Sequence, residues 1–251
     1  MAIKNIKLLI EYEGTAYCGW QVQQSGDTIQ GRLTEAIRKV TGLEVNLIGA
    51  GRTDAGVHAL GQAASFQIEH GLDPERYAAA LNYYLPEDIR VLNSELAPAG
   101  FHARFDARSR RYRYLVSGEM SALYRNLRHH YRPGVDFECL QTAAAIVAGE
   151  HDFSPFCVVS SRKENNVCRV EHSRWYPYGP LLVYEIRADR FLHSMVRSLV
   201  GAMLNLATVE PDQNQLNLTL AAFSDIITAP GGHRVAFTAP ACGLYLVKVI
   251  Y

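Results

Sequence analysis

Apolar residues along this chain change their spacing in a way that predicts the same series of elements twice. Residues 6–12 alternate as a strand does, whereas Leu33, Ile37 and Val40 recur at helical spacing within 28–40. Asp27 stands just ahead of that helix as a candidate N-cap. Strand-like runs follow at 45–48 and 60–68, then a helix over 74–84 and a strand over 89–96. The second series predicts a strand over 111–117, a helix over 137–148, hairpin strands at 169–176 and 181–188, and a helix over 192–206. A further helix over 216–227 and a strand over 244–251 complete it. Within 192–206, Leu192, Met195, Val196, Leu199, Val200, Met203 and Leu206 form a stripe suited to burial, with Arg197 at its flank. An arginine in that position either snorkels to solvent or pairs with a buried carboxylate.

Each series reads β-α-β-β-α-β, the ferredoxin-like order that also underlies RNA-recognition modules. The expected fold is α+β. Two ferredoxin-like halves, 1–100 and 101–251, would join into a mostly antiparallel sheet. Pro98 and Gly100 interrupt the pattern near the boundary. A cleft between two such halves is the natural place for a site.

Composition narrows the function. Hydrophobic content of 48% and charged content of 20% suit a soluble globular protein, and no run approaches membrane-spanning length. The first twelve residues lack the apolar core of a signal peptide. The cysteines (18, 139, 157, 168 and 242) are odd in number and scattered, without a Cys-x-x-Cys pair. Neither a disulfide framework nor a metal site is expected, and a cytoplasmic setting follows. Formal net charge is zero, but the charge is unevenly spread. Between Phe101 and Gly134 eight arginines (104, 108, 110, 111, 113, 125, 128 and 132) face only Asp106 and Glu119. Arginine forks match phosphates and stack on bases, so the clustering suggests RNA.

The candidate chemistry sits in the string Gly49-Ala50-Gly51-Arg52-Thr53-Asp54-Ala55-Gly56-Val57-His58-Ala59. Glycines on both sides of one carboxylate permit a sharp turn and close approach of a ligand. Arg52 can hold that carboxylate ionised, and a lone aspartate presented this way suits a nucleophile or base. An Asx-type turn that merely reverses the chain explains the same residues. Nucleotide readings fail: Asp54 occupies the third glycine position of a dinucleotide fingerprint, a strand follows instead of a helix, and no Lys-Ser or Lys-Thr ends the loop.

Further strings accompany this one: Cys18-Gly19-Trp20-Gln21-Val22-Gln23, Thr28-Ile29-Gln30-Gly31, Phe101-His102-Ala103-Arg104-Phe105 and Arg110-Arg111-Tyr112-Arg113-Tyr114. Phe191 to Gly201, Ala239-Pro240 and Gly243-Leu244-Tyr245-Leu246 follow. In this order, over nearly the whole chain, they resemble the TruA family of tRNA pseudouridine synthases. The resemblance implies an isomerase of tRNA processing that converts uridine to pseudouridine in the anticodon stem-loop, at positions 38 to 40 by tRNA convention. It also implies a homodimer, with no metal or organic cofactor. Carried over by position, Asp54 matches the catalytic aspartate, Tyr112 the tyrosine packed on the target base, and Arg197 the arginine paired with the aspartate. Arg52, Thr53, His58, Phe101, His102, Arg104, Arg110, Arg111 and Arg113 are the expected RNA contacts, together with Tyr112. Three departures stand out: Asp189-Arg190 where the family commonly has Asn and a small residue, Ala241-Cys242 before the last strand, and a polar, basic loop over 159–166 that is not diagnostic.

Two other classes compete. A glycosidase breaks the same type of bond but works with paired carboxylates, and Asp54 has no evident partner in a comparable loop. A non-catalytic RNA-binding protein of two ferredoxin-like units would carry an aromatic signature on its third strand, and no such string occurs.

Overall fold

The computed structural model describes residues 2–131, 134–209, 218–229, 235 and 237–251. In chain order the elements begin with β1 (Lys4–Tyr12), α1 (Ile29–Thr41), β2 (Ile48–Gly49), β3 (His58–Ile68), α2 (Tyr77–Asn82) and β4 (Ile89–Ala97). They continue with β5 (Ser109–Ser117), β6 (His129–His130), α3 (Phe137–Val147), β7 (Gly149–Asp152), β8 (Val167–Tyr178) and β9 (Leu181–Ala188). Helices α4 (Met195–Leu206) and α5 (Leu220–Thr228) and strand β10 (Leu244–Ile250) complete the series. The chain divides into two compact units, Met1–Arg108 with Tyr245–Tyr251, and Ser109–Leu244. Residues 101–108 and nearly all of β10 thus lie with the first unit.

In the first unit β1 pairs antiparallel with both β3 and β4, giving the order β4-β1-β3. The outer edge of β3 is shared. β2 pairs with it at Ser65 and Ala64, and β10 runs parallel to it at His58 and Ala59. Alternation in β1 turns Ile6, Leu8, Ile10 and Tyr12 inward, where Ile29, Leu33, Ala36 and Ile37 of α1 are also buried. The N-cap of α1 is Thr28, whose hydroxyl accepts from the Gly31 amide at 3.2 Å. Asp27, expected in that role, instead pairs with Arg32. Of the strand expected at 45–48 only Ile48 pairs, because β2 is two residues long. The helix expected from 74 begins as a 3-10 turn, Pro74–Arg76, before α2.

In the second unit antiparallel pairing gives the order β5-β9-β8-β7, and β6 lies parallel to β5. Helix α4 buries Met195, Val196, Leu199, Val200 and Met203, and the Trp175 indole of β8 donates to the Met203 sulfur at 3.4 Å. Asp136 and Thr219 cap α3 and α5 through their side chains. The start of the helix expected over 216–227, and Arg132 of the arginine cluster, fall outside the described residues. Among the described residues no helix is long and apolar enough to cross a membrane.

His129 gives this unit a pH response. Its ring lies edge-on between Tyr114 (5.9 Å) and Tyr131 (5.6 Å). Burial, reinforced by the charge of His130, pushes its pKa down to about 4. The unfolded chain therefore takes up a proton near pH 6.5 that the folded chain refuses until about pH 4. Stability should be unaffected by this group above pH 6.5 and fall as pH drops toward 4, by on the order of 2 kcal/mol once solvent screening of this partly exposed ring is allowed for. His172, also depressed first by burial, acts in the same direction. Urea unfolding between pH 4 and 7 should show the slope in the parent protein and a reduced slope in His129→Leu.

Candidate active site

The Asp54 turn is built by backbone from two directions. The Val57 amide donates to the Asp54 carbonyl at 3.2 Å, closing a turn in which Gly56 takes the left-handed φ of 75°. The turn expected from the glycine pattern is thus present, and it opens on Asp54. The segment following β1 lies against it. Trp20 donates its amide to the Thr53 carbonyl at 3.1 Å, and the Gly56 amide donates to the Tyr17 carbonyl at 3.3 Å.

That approach is close enough to dictate residue type. A Cβ on Gly19, itself at φ 89°, would stand 2.5 Å from the Thr53 oxygen. One on Gly14 would collide with the Val57 carbonyl. Beneath the turn, the buried Tyr12 and Thr53 hydroxyls share a hydrogen bond of 2.8 Å. The Gln62 amide, fully buried, donates to the Gly51 carbonyl at 3.0 Å. His58 is 1% exposed: its Nδ1 accepts from the Gly14 amide at 3.0 Å and its ring stacks on Tyr245 at 4.7 Å. A histidine accepting at Nδ1 carries its proton on Nε2 and is neutral. Thr53 and His58 thus brace the turn from within, while Asp54 is partly exposed.

Arg52 is exposed and oriented by a relay. Its Nε donates to Gln21 Oε1 (3.1 Å), Gln21 Nε2 to Gln30 Oε1 (2.7 Å), and Gln30 Nε2 to the Leu47 carbonyl (2.8 Å). In the same unit Phe101 packs on Tyr251 at 4.9 Å, whereas His102 and Arg104 belong to the neighbouring turn.

The second unit carries the remaining candidates. On β5, alternation buries Tyr112 and leaves Arg111 and Arg113 on the opposite face. The Tyr112 ring meets Phe191 edge-on at 5.0 Å. Arg113 donates to Glu185 Oε2 at 2.7 Å, and Arg174 approaches the other oxygen at 3.5 Å. Burial opposes ionisation of Glu185, but the Arg113 hydrogen bond and the surrounding guanidinium charges outweigh it and hold the carboxyl below its usual range. Arg110 donates to the Asp189 carbonyl at 2.8 Å. The Asp189 carboxylate accepts from the Arg169 amide (2.9 Å) and the Arg190 amide (2.7 Å), so this departure from the family pattern ties β8 to the end of β9.

Arg197 lies in the first turn of α4, its Nε donating to the Ala239 carbonyl at 2.9 Å while the Ala239 amide donates to the Arg197 carbonyl at 3.0 Å. Ser194, which precedes α4, holds φ 61°, a strained backbone for a residue other than glycine. Among the described residues no group of three or more His, Cys, Asp or Glu could hold a metal ion.

Tyr12, Gln62, Gln21 and Gln30 were not singled out by sequence for these roles. Gln21 and Gln30 stand inside strings that were recognised, but their hydrogen-bond partners come from elsewhere in the fold.

Comparison with known proteins places this architecture. The family model described as tRNA pseudouridine synthase matches residues 8–106 and 143–251. The tRNA pseudouridine synthase A of Acetivibrio thermocellus is 39% identical over 251 residues, covering 99% of this chain and 100% of that protein. That of Caldicellulosiruptor bescii is 38% identical over the same length, with the same coverage. The Pelodictyon phaeoclathratiforme protein of that name is 43% identical over 204 residues, covering 80% of this chain and 84% of its own. The chain belongs to the tRNA pseudouridine synthase family. It is accordingly an isomerase, and the reading as a non-catalytic RNA-binding protein falls away.

The Tyr12–Thr53 hydrogen bond is testable on its own. Tyr12→Phe keeps the ring and strands a buried hydroxyl, so it should destabilise the fold by about 1–2 kcal/mol. Thr53→Ser, which retains the acceptor, should cost clearly less. Urea unfolding of both variants measures the difference.

Proposed function

We propose that this protein isomerises uridine to pseudouridine in the anticodon stem-loop of tRNA, at positions 38 to 40 by tRNA convention, with Asp54 as its single catalytic carboxylate. The full-length likeness to tRNA pseudouridine synthase A carries this reading. The Asp54 turn supplies a carboxylate of fixed position. Isomerisation breaks the bond from C1′ to N1, turns the uracil, joins C1′ to C5, and releases the C5 proton. A carboxylate serves this either as nucleophile at C1′ or as base toward C2′.

Either role needs ionised Asp54, and the family pattern assigns Arg197 to support it by pairing. Tyr112 is proposed to pack on the uracil and to assist departure of the C5 proton. The target uridine lies in or beside a helical stem, so its extrusion costs a few kcal/mol. Arg52, oriented by its glutamine relay, is the residue we assign to the space the base vacates. Thr53 and His58 serve the substrate by holding the turn that carries Asp54. His102, Arg104, Arg110 and Arg111 are assigned to the RNA backbone, and Arg113 to a contact weakened by its pairing with Glu185. A homodimer acting in the cytoplasm without metal or organic cofactor completes the proposal. The scattered unpaired thiols fit that setting.

Asp54→Asn is expected to abolish pseudouridine formation on an unmodified tRNA transcript while leaving tRNA affinity within about twofold. Mapping of pseudouridine at 38 to 40 in the parent reaction checks the target, and turnover by the variant would overturn the role of Asp54. Joint replacement of Arg110, Arg111 and Arg113 by Gln should flatten the dependence of log Kd on log salt by about 2. A full three contacts are not expected, because Glu185 already shares the charge of Arg113. Filter binding across a salt series measures the slope.

A further inference from the structure

The segment 101–106 is held rigidly and yet presents an aromatic ring to solvent. Asn5 donates its side-chain amide to the carbonyls of Pro98 (3.0 Å) and Phe101 (2.8 Å). The Ala103 amide donates to the Ser65 hydroxyl (3.2 Å), and the Tyr251 hydroxyl donates to the Ala103 carbonyl (2.8 Å). The His102 amide donates to the Asp106 carboxylate (2.9 Å), and the Asp106 amide returns to the His102 carbonyl (3.1 Å). His102 Nδ1 accepts from the amides of Arg104 and Phe105, each at 3.2 Å. On this frame the Phe105 ring, 77% exposed, lies stacked on the His102 imidazole with centroids 4.2 Å apart and planes 25° from parallel. The Arg104 guanidinium stands 5.9 Å from its centre.

The two phenylalanines of this string have opposite environments. Phe101 packs on Tyr251, and the Lys7 ammonium stands 5.6 Å from its ring. Phe105 has one face against His102, and most of its surface is wet. A loose loop would let so apolar a ring fold back; here the hydrogen bonds fix the backbone on both sides and keep it outward. Ordering of this kind lowers the entropic cost of binding. A flat apolar surface beside a guanidinium, in an enzyme of a tRNA-modifying family, fits a nucleobase. Arg104 adds positive charge beside the ring, while the Asp106 carboxylate is turned into its own loop.

We infer that Phe105, backed by His102, is a stacking platform for an unstacked nucleobase of the bound tRNA, and that Phe105 instead of Phe101 makes the aromatic contact of this segment. The inference rests on tRNA as the substrate. Every base has a π-face, so the platform adds affinity without choosing among bases.

Equilibrium binding of unmodified tRNA transcript tests it. Phe105→Leu keeps an apolar side chain without a π-face and should raise Kd about tenfold. Phe105→Trp should bind within about twofold of the parent. Because Trp20 and Trp175 are buried, its added indole should dominate the fluorescence quenched by tRNA. Parent-like affinity in Phe105→Leu, or no quenching in Phe105→Trp, overturns the platform. So does a shift of Phe105→Leu toward monomer in sedimentation, which would place the ring against a second copy. A parent protein that binds no tRNA would defeat the substrate reading itself, and this inference with it.

Discussion

The closeness of two backbone segments governs the first unit. The chain after β1 lies directly on the Thr53–Val57 turn, with amide and carbonyl groups exchanged in both directions. Side chains are excluded where the segments touch, so Gly14 and Gly19 are fixed by space and, at Gly19, by backbone angle as well. The hydroxyl pair below and the stacked imidazole beyond then leave the turn little freedom. Fixing a side chain's backbone before any ligand arrives moves an entropic cost out of binding and into folding. The carboxylate is the visible feature, but the absence of two Cβ atoms permits its position.

Charge follows a related logic in the second unit. Six of the eight arginines of 101–134 fall in this unit, while the whole chain is neutral. Glu185 meets Arg113 and Arg174 on the polar face of that sheet, so part of the positive charge is compensated internally. A buried carboxylate is costly alone and stable among several guanidinium groups. The face keeps its arginine forks in register without the full repulsion their number implies.

Much of this was legible from residue spacing. The strand at 181–188 and the helix at 137–148 stand within a residue of expectation, because their apolar periods are set by burial on one face. The elements missed were β6 and β7. The Gly-Glu-His-Asp of β7 has no apolar rhythm and is a strand only because β8 lies beside it. Capping was misjudged by one residue, since a hydroxyl at Thr28 reaches the Gly31 amide while Asp27 turns to Arg32. The turn that carries Asp54 was readable because the glycines around it restrict what the chain can do. Its supports were not: Tyr12 and Tyr245 are distant in sequence, and Gln62, although close in sequence, carries no mark of the contact it makes.

One of those distant supports also bears on how the protein comes into being. His58 and Ala59, immediately beyond the Asp54 turn, find strand partners in Tyr245 and Leu246. Their neighbour is thus translated almost a whole chain later. While the ribosome is still at work, β1, β3 and β4 can pair, yet the edge of β3 next to the Asp54 turn stays bare and its imidazole lacks the ring it stacks on. Pairings so remote in sequence are slow to close. The first unit therefore passes through a stage in which this edge of β3 is uncovered, and β10 is what covers it.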